Sequence, residues 1–133
     1  MKILYMIFAI CLFLYADNFE NVEIIEMNKP FFVVGEIYQD NEAYIEGVKN
    51  SCNTQIVQDF QTENIIAFFQ SAKEYDSYQA VAYCFYPCNI TGKIKLDSEI
   101  WDFELNEGGF AVLKSKNGKR YFGDESRLYE CGI

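Results

Sequence analysis

Between Ile90 and Gly123 short strand-like runs are separated by turn-forming residues, and the first two of them alternate apolar and polar residues with a period of two. In ITGKIKL (90–96), Ile90, Gly92, Ile94 and Leu96 fall on one side of a strand, and Thr91, Lys93 and Lys95 on the other. In EIWDFEL (99–105), Trp101, Phe103 and Leu105 share a face, and Ile100, Asp102 and Glu104 share its opposite. Asp97-Ser98 can turn the chain between them, and Asn106-Glu-Gly-Gly109 is rich in residues that tolerate positive φ. FAVLKSK (110–116) then runs into Asn117-Gly118, the strongest short hairpin signal in the chain, and KRYFG (119–123) returns. The pattern predicts an antiparallel meander. YQAVAYCFY (78–86), apolar on both alternating sets, reads as a central strand covered on both faces, and LYEC (128–131) as a short edge strand.

The N-terminal half changes period. FFVVGEIY (31–38) is rich in β-branched and aromatic residues and reads as a strand. Tyr44, Ile45, Val48 and Cys52 favour a helix starting near Asp40 or Asn41, although Gly47 weakens it. TENIIAFFQSAKE (62–74) carries Ile65, Phe68, Phe69 and Ala72 on one helical face, with Thr62 as the expected N-cap and Glu63 favoured by the helix dipole. Residues 17–30 are polar with scattered apolar positions and end at Lys29-Pro30 without a clear period. The predicted class is α+β: a meander of four or five strands in the C-terminal half, packed with one or two helices.

Residues 1–16, MKILYMIFAICLFLYA, have one charge (Lys2), an apolar run and a small residue (Ala16) before an acidic stretch, the layout of a secretory signal. The run is shorter than the ~18 residues expected of a spanning helix. Leu14 at the −3 position is bulkier than a signal cleavage site prefers, which leaves a retained anchor as the competing reading. Lipidation at Cys11 is opposed by the large Ile10 before it. The expected division is a signal at 1–16 and one domain at 17–133, exported to a periplasmic or extracellular space. Loss of the signal leaves four of the five cysteines: Cys52, Cys84, Cys88 and Cys131. An even count in an exported chain predicts two disulfides, and Cys52–Cys84 with Cys88–Cys131 would join the helical middle to the sheet and lock the C-terminus. Cys84 and Cys88 have three residues between them, not the two of a redox motif, and one close pair is too few for a four-cysteine zinc site.

Charge and composition narrow function by exclusion. The chain has 11 basic and 20 acidic side chains. Lys2 is the one charge in the signal, so its removal takes the net charge from −9 to −10. Such a balance disfavours nucleic acid and anionic membrane surfaces and favours a basic partner. Histidine is absent, which removes the usual general base, the Ser-His and Cys-His pairs and the commonest zinc ligand. No metal, cofactor or catalytic motif is expected. Ten tyrosines, twelve phenylalanines and one tryptophan make 17% of the chain, and not all can be internal in a domain this small; tyrosine suits protein interfaces, while an A/T-biased genome inflates the same residue types.

The expected function is a small acidic binding protein, in the class of inhibitors or immunity proteins that block a basic hydrolase or toxin. Its candidate contacts are Asp102, Glu104, Glu107, Asp124 and Tyr121, near the hairpin tips. A carboxylate-dependent hydrolase acting on a glycan is the enzymatic alternative, since Asp102 and Glu104 share a strand face. Against it, Lys93 and Lys95 face outward on the neighbouring strand, ready to pair with them. A structural envelope protein is the third reading. Asn89-Ile90-Thr91 has the form of a glycosylation sequon, of consequence only in a eukaryotic host.

Overall fold

The computed structural model describes residues 19–53, 57–78, 83 and 86–128. It is an α+β fold built on a seven-stranded antiparallel sheet. The strands are β1 (Val22–Met27), β2 (Phe31–Phe32), β3 (Lys73–Tyr75), β4 (Cys88–Leu96), β5 (Glu99–Asn106), β6 (Phe110–Ser115) and β7 (Gly118–Gly123). Their order is β1-β4-β5-β6-β7-β3, with β2 also paired to β4. Two helices, α1 (Glu42–Ser51) and α2 (Thr62–Ser71), lie in the connection from β2 to β3.

The meander β4–β7 follows the sequence alternation. Ile94 stands opposite Trp101, and Ile90 opposite Leu105; Leu105 in turn faces Ala111, and Phe103 faces Leu113. All of these are buried, and α2 covers them with Ile65 and Phe69, which are 0% and 1% exposed. Phe69 meets Phe103 and Phe122 edge-on at 6.0 and 6.1 Å. The turns use the residues expected of them: Asp97 has φ 55°, and Gly109 and Gly118 have φ 88° and 124°.

The sheet exceeds the expected four or five strands because three strands that precede the meander, β1, β2 and β3, join it. β1 escapes the alternation because its register shifts between Ile24 and Glu26. Val22, Ile24 and Met27 all pack on the core, so the inward spacing is two and then three. Two backbone amides, of Glu20 and Asn21, donate to Asp97 Oδ1 at 3.0 and 2.9 Å and fasten the start of β1 to the β4–β5 turn. Gly92 lies beneath this bulge. A Cβ there would collide with the Glu26 carbonyl oxygen and come 2.8 Å from the Phe103 ring.

The expected strand at 31–38 is reduced to Phe31 and Phe32. Its partner strand begins at Cys88, next to Pro87, whose nitrogen cannot extend the ladder. Val33 still donates to the Pro87 carbonyl at 2.8 Å, and Glu36–Tyr38 then forms a 3-10 turn. α1 starts where expected, with Asn41 Oδ1 accepting from the Tyr44 amide at 3.0 Å. α2 ends three residues earlier than expected. Ala72 is extended (ψ 147°), and Lys73–Tyr75 instead joins the edge of β7. The Glu74 carboxylate there accepts twice from the Arg120 guanidinium, at 2.8 and 2.6 Å. That guanidinium lies 5.1–5.5 Å from the rings of Phe19, Trp101 and Phe122. Gln61, not Thr62, occupies the N-cap, and the Thr62 hydroxyl turns to Met27 Sδ at 3.8 Å.

The disulfide pairing differs from the expected one. Cys52, at the C-terminus of α1, bonds to Cys88, the first residue of β4, with Cα atoms 5.4 Å apart. The helix end abuts the strand start, which excludes both Cys52–Cys84 and Cys88–Cys131. The closed loop spans 36 residues, for which chain entropy gives about 4 kcal/mol of stabilisation. Cys84 and Cys131 lie outside the described residues, as do the 1–16 segment, most of the expected 78–86 strand and residues 129–131 of the expected edge strand. Tyr83 pairs with Leu128 in an isolated antiparallel bridge.

Candidate binding groove

One face of the sheet is closed by α2, and the other is lined by sheet side chains together with Tyr78 and Tyr83. In register across it run Thr91, Glu104, Val112 and Tyr121, with Tyr75 beyond on β3. On one side of this row stand Asn89, Asn106 and Phe110. On the other stand Lys93, Asp102, Lys114 and Lys119. Between them lies a groove of about 470 Å³. Its aromatic wall is Tyr78, Tyr83, Phe110 and Tyr121, and Glu104 and Val112 lie between that wall and a rim formed by Lys114 and Lys119.

The rings of the wall contact one another. Tyr78 meets Phe110 and Tyr121 edge-on at 5.3 and 5.9 Å, and Tyr83 lies against Phe110 at 5.4 Å. Tyr78 is 61% exposed, whereas Tyr83 is buried. Tyr83 fits because residue 123 is glycine: a Cβ at that position would overlap the phenol oxygen and ring. The Tyr83 and Tyr75 hydroxyls are 2.9 Å apart. Burial, followed by this hydrogen bond, raises the Tyr83 phenol well above its ordinary pKa, so it stays neutral.

The polar end is set by two asparagines. Asn106 Nδ2 donates to the Tyr86 carbonyl at 2.7 Å and to Asn89 Oδ1 at 2.9 Å, and Asn106 Oδ1 accepts from the Gly108 amide at 2.8 Å. Asn106 is thereby locked. Asn89 is 7% exposed, and no described residue accepts from its amide nitrogen. Asn89 is the second residue of β4 and lies beside a fully buried Ile90.

The sequence-derived candidates separate into three places. Glu104 and Tyr121 share the groove. Asp102 lies outside it, exposed, and pairs with Lys93 at 3.2 Å, the cross-strand pairing that the alternation anticipated. Glu107 and Asp124 belong to the α2 side of the sheet. Asp124 Oδ1 caps the Glu125–Arg127 turn by accepting from the Ser126 amide and hydroxyl. Glu107 is half-buried in the β5–β6 turn; burial first, then the Asp59 charge, raise its pKa against the opposing pull of Arg127. Arg127 itself pairs with Asp59 at 3.1 Å.

Glu104 is half-buried, and no described residue donates a hydrogen bond or an ion pair to it. The outward parity of β6, which places Phe110 and Val112 beside Lys114, was the available sequence signal for an apolar outer wall. Tyr78, Tyr83, Asn89 and Asn106 come together only through tertiary structure. Among the described residues there is no cluster of metal-ligating side chains, and no helix is long and apolar enough to cross a membrane. Comparison with protein-family models, curated proteins and solved structures finds no match to this chain.

Proposed function

We propose that the chain is an exported, non-catalytic binding protein that holds a basic protein partner in the outer-face groove, as an inhibitor or immunity protein holds a hydrolase or toxin. The carrying observation is the half-buried Glu104 carboxylate, without a partner among the described residues, beside a wall of tyrosine and phenylalanine. A carboxylate that has lost part of its hydration and gained no counter-charge is poised to accept one. Tyrosine walls supply rigid contact area at low entropic cost. The net charge, −9 for the full chain and −10 once Lys2 leaves with the signal, steers a basic partner toward the surface, and the Cys52–Cys88 bond supports an oxidising compartment.

The groove contains one carboxylate among its described residues, and Asp102 is engaged by Lys93 outside it. That arrangement weighs against a two-carboxylate glycan hydrolase. The test is capture of a partner from an extract of the native host on immobilised protein. Glu104→Gln and Tyr121→Ala are expected to reduce capture at least about tenfold, as at interface hot spots, whereas Asp102→Asn leaves it unchanged. Equal capture by the wild type and both groove variants would refute the reading.

A further inference from the structure

Resting on that reading, we infer that the groove recognises an extended partner segment carrying a basic and an acidic side chain two positions apart. The described charges of the groove are of two kinds and at two places. Glu104 lies in the row with Val112 and Tyr121; Lys114 and Lys119, facing each other across β6 and β7, lie in the next row. None of the three is hydrogen-bonded or ion-paired to a described residue. The neighbouring Lys93 and Asp102 neutralise each other. Glu104 and Lys114 are diagonal neighbours on adjacent strands, about 7–8 Å apart. Side chains at i and i+2 of an extended peptide are separated by about 7 Å and point the same way. A basic side chain on Glu104 therefore places an acidic side chain two residues away over the lysine pair.

The aromatic wall favours the same occupant. A guanidinium or ammonium seated on Glu104 lies beside the tyrosine rings, whose faces attract cations. The Asn89 amide nitrogen, from which no described residue accepts, belongs to a residue 7% exposed that lines the groove, and it offers a donor to a peptide carbonyl. A purely cationic ligand leaves Lys114 and Lys119 opposing it, and a purely anionic one meets Glu104.

The probes are acetyl-Arg-Ala-Asp-amide and acetyl-Asp-Ala-Arg-amide, titrated into the disulfide-bonded protein and followed by NMR at the groove residues. Citrulline replaces arginine, and asparagine replaces aspartate, in matched neutral peptides. One of the two orders is expected to bind saturably. Citrulline should weaken it about fivefold or more in the wild type and have no further effect in Glu104→Gln. Asparagine should do the same in the wild type and have no further effect in Lys114→Gln/Lys119→Gln. Retained spectral dispersion in each variant shows that the fold is intact. Equal binding of charged and neutral peptides, couplings that do not pair in this way, or no saturable shift overturns the inference. Displacement of the peptide by a neutral disaccharide such as maltose overturns it in favour of a glycan ligand. If these fail while Tyr121→Ala still abolishes partner capture, the binding function stands and only the ligand chemistry is wrong.

Discussion

Glu104 and Asp102 stand two residues apart on one face of β5 and meet different surroundings. Asp102 has Lys93 opposite it and water around it; Glu104 has Thr91 and Val112 across the strands and an aromatic wall nearby. Alternation alone made them equivalent, because a period of two gives the face but not what stands on the next strand. Glu107 illustrates a different influence, burial on a carboxylate. Its raised pKa means that the folded state holds the proton more tightly than the unfolded chain. Stability therefore falls as pH rises from the ordinary glutamate value, about 4.3, through the raised folded value, and the cost is complete above that. Glu107→Gln removes it. The variant is expected to melt slightly higher than the wild type at pH 7, by less than about 1 kcal/mol because the site is partly solvated. The difference should shrink as the pH falls through the raised folded value toward about 4.3 and be absent below it, in a thermal unfolding series. A variant that melts lower at pH 7 would show that its attraction to Arg127 outweighs burial.

At the scale of elements, β4 to β7 were legible because each is a strand with one covered face and a local turn signal at its end. α1 and the apolar face of α2 were legible for the same reason, with a period of 3.6. What escaped depended on a partner distant in sequence. The β1 bulge breaks its own alternation, and Lys73–Tyr75 becomes a strand because β7 offers an edge and Arg120 a counter-charge for Glu74. The Cys52–Cys88 bond depends on where α1 ends relative to β4, which no spacing rule supplies. Gly92 is where three of these strands meet. Gly92→Ala must displace either the β1 backbone at Glu26 or the Phe103 ring, and backbone cannot yield cheaply. The expected loss is about 2–4 kcal/mol, read by denaturant unfolding, with the β1 amides losing exchange protection first. Unchanged stability would mean that β1 does not lie over Gly92.

The whole molecule presents two unlike faces of one sheet. Helix α2 seals the first around Phe69, Phe103 and Phe122. The second gathers Tyr78, Tyr83 and Phe110 at one end and alternating charges at the other, with Glu104 between. The tyrosine surplus in the sequence pointed to an exposed aromatic surface. Its location was hidden because Tyr78 and Tyr83 come from outside the meander, and because the space Tyr83 fills is left by Gly123 on β7, forty residues away in sequence. The partner is expected to sit at the groove end of this face. A photoreactive benzoylphenylalanine at Tyr78, compared with one at Ile100 beyond the charged row, tests it directly in an extract of the native host. Irradiation is predicted to give a covalent adduct from position 78 and none from position 100; adducts from position 100 alone, or equally from both, would contradict the account.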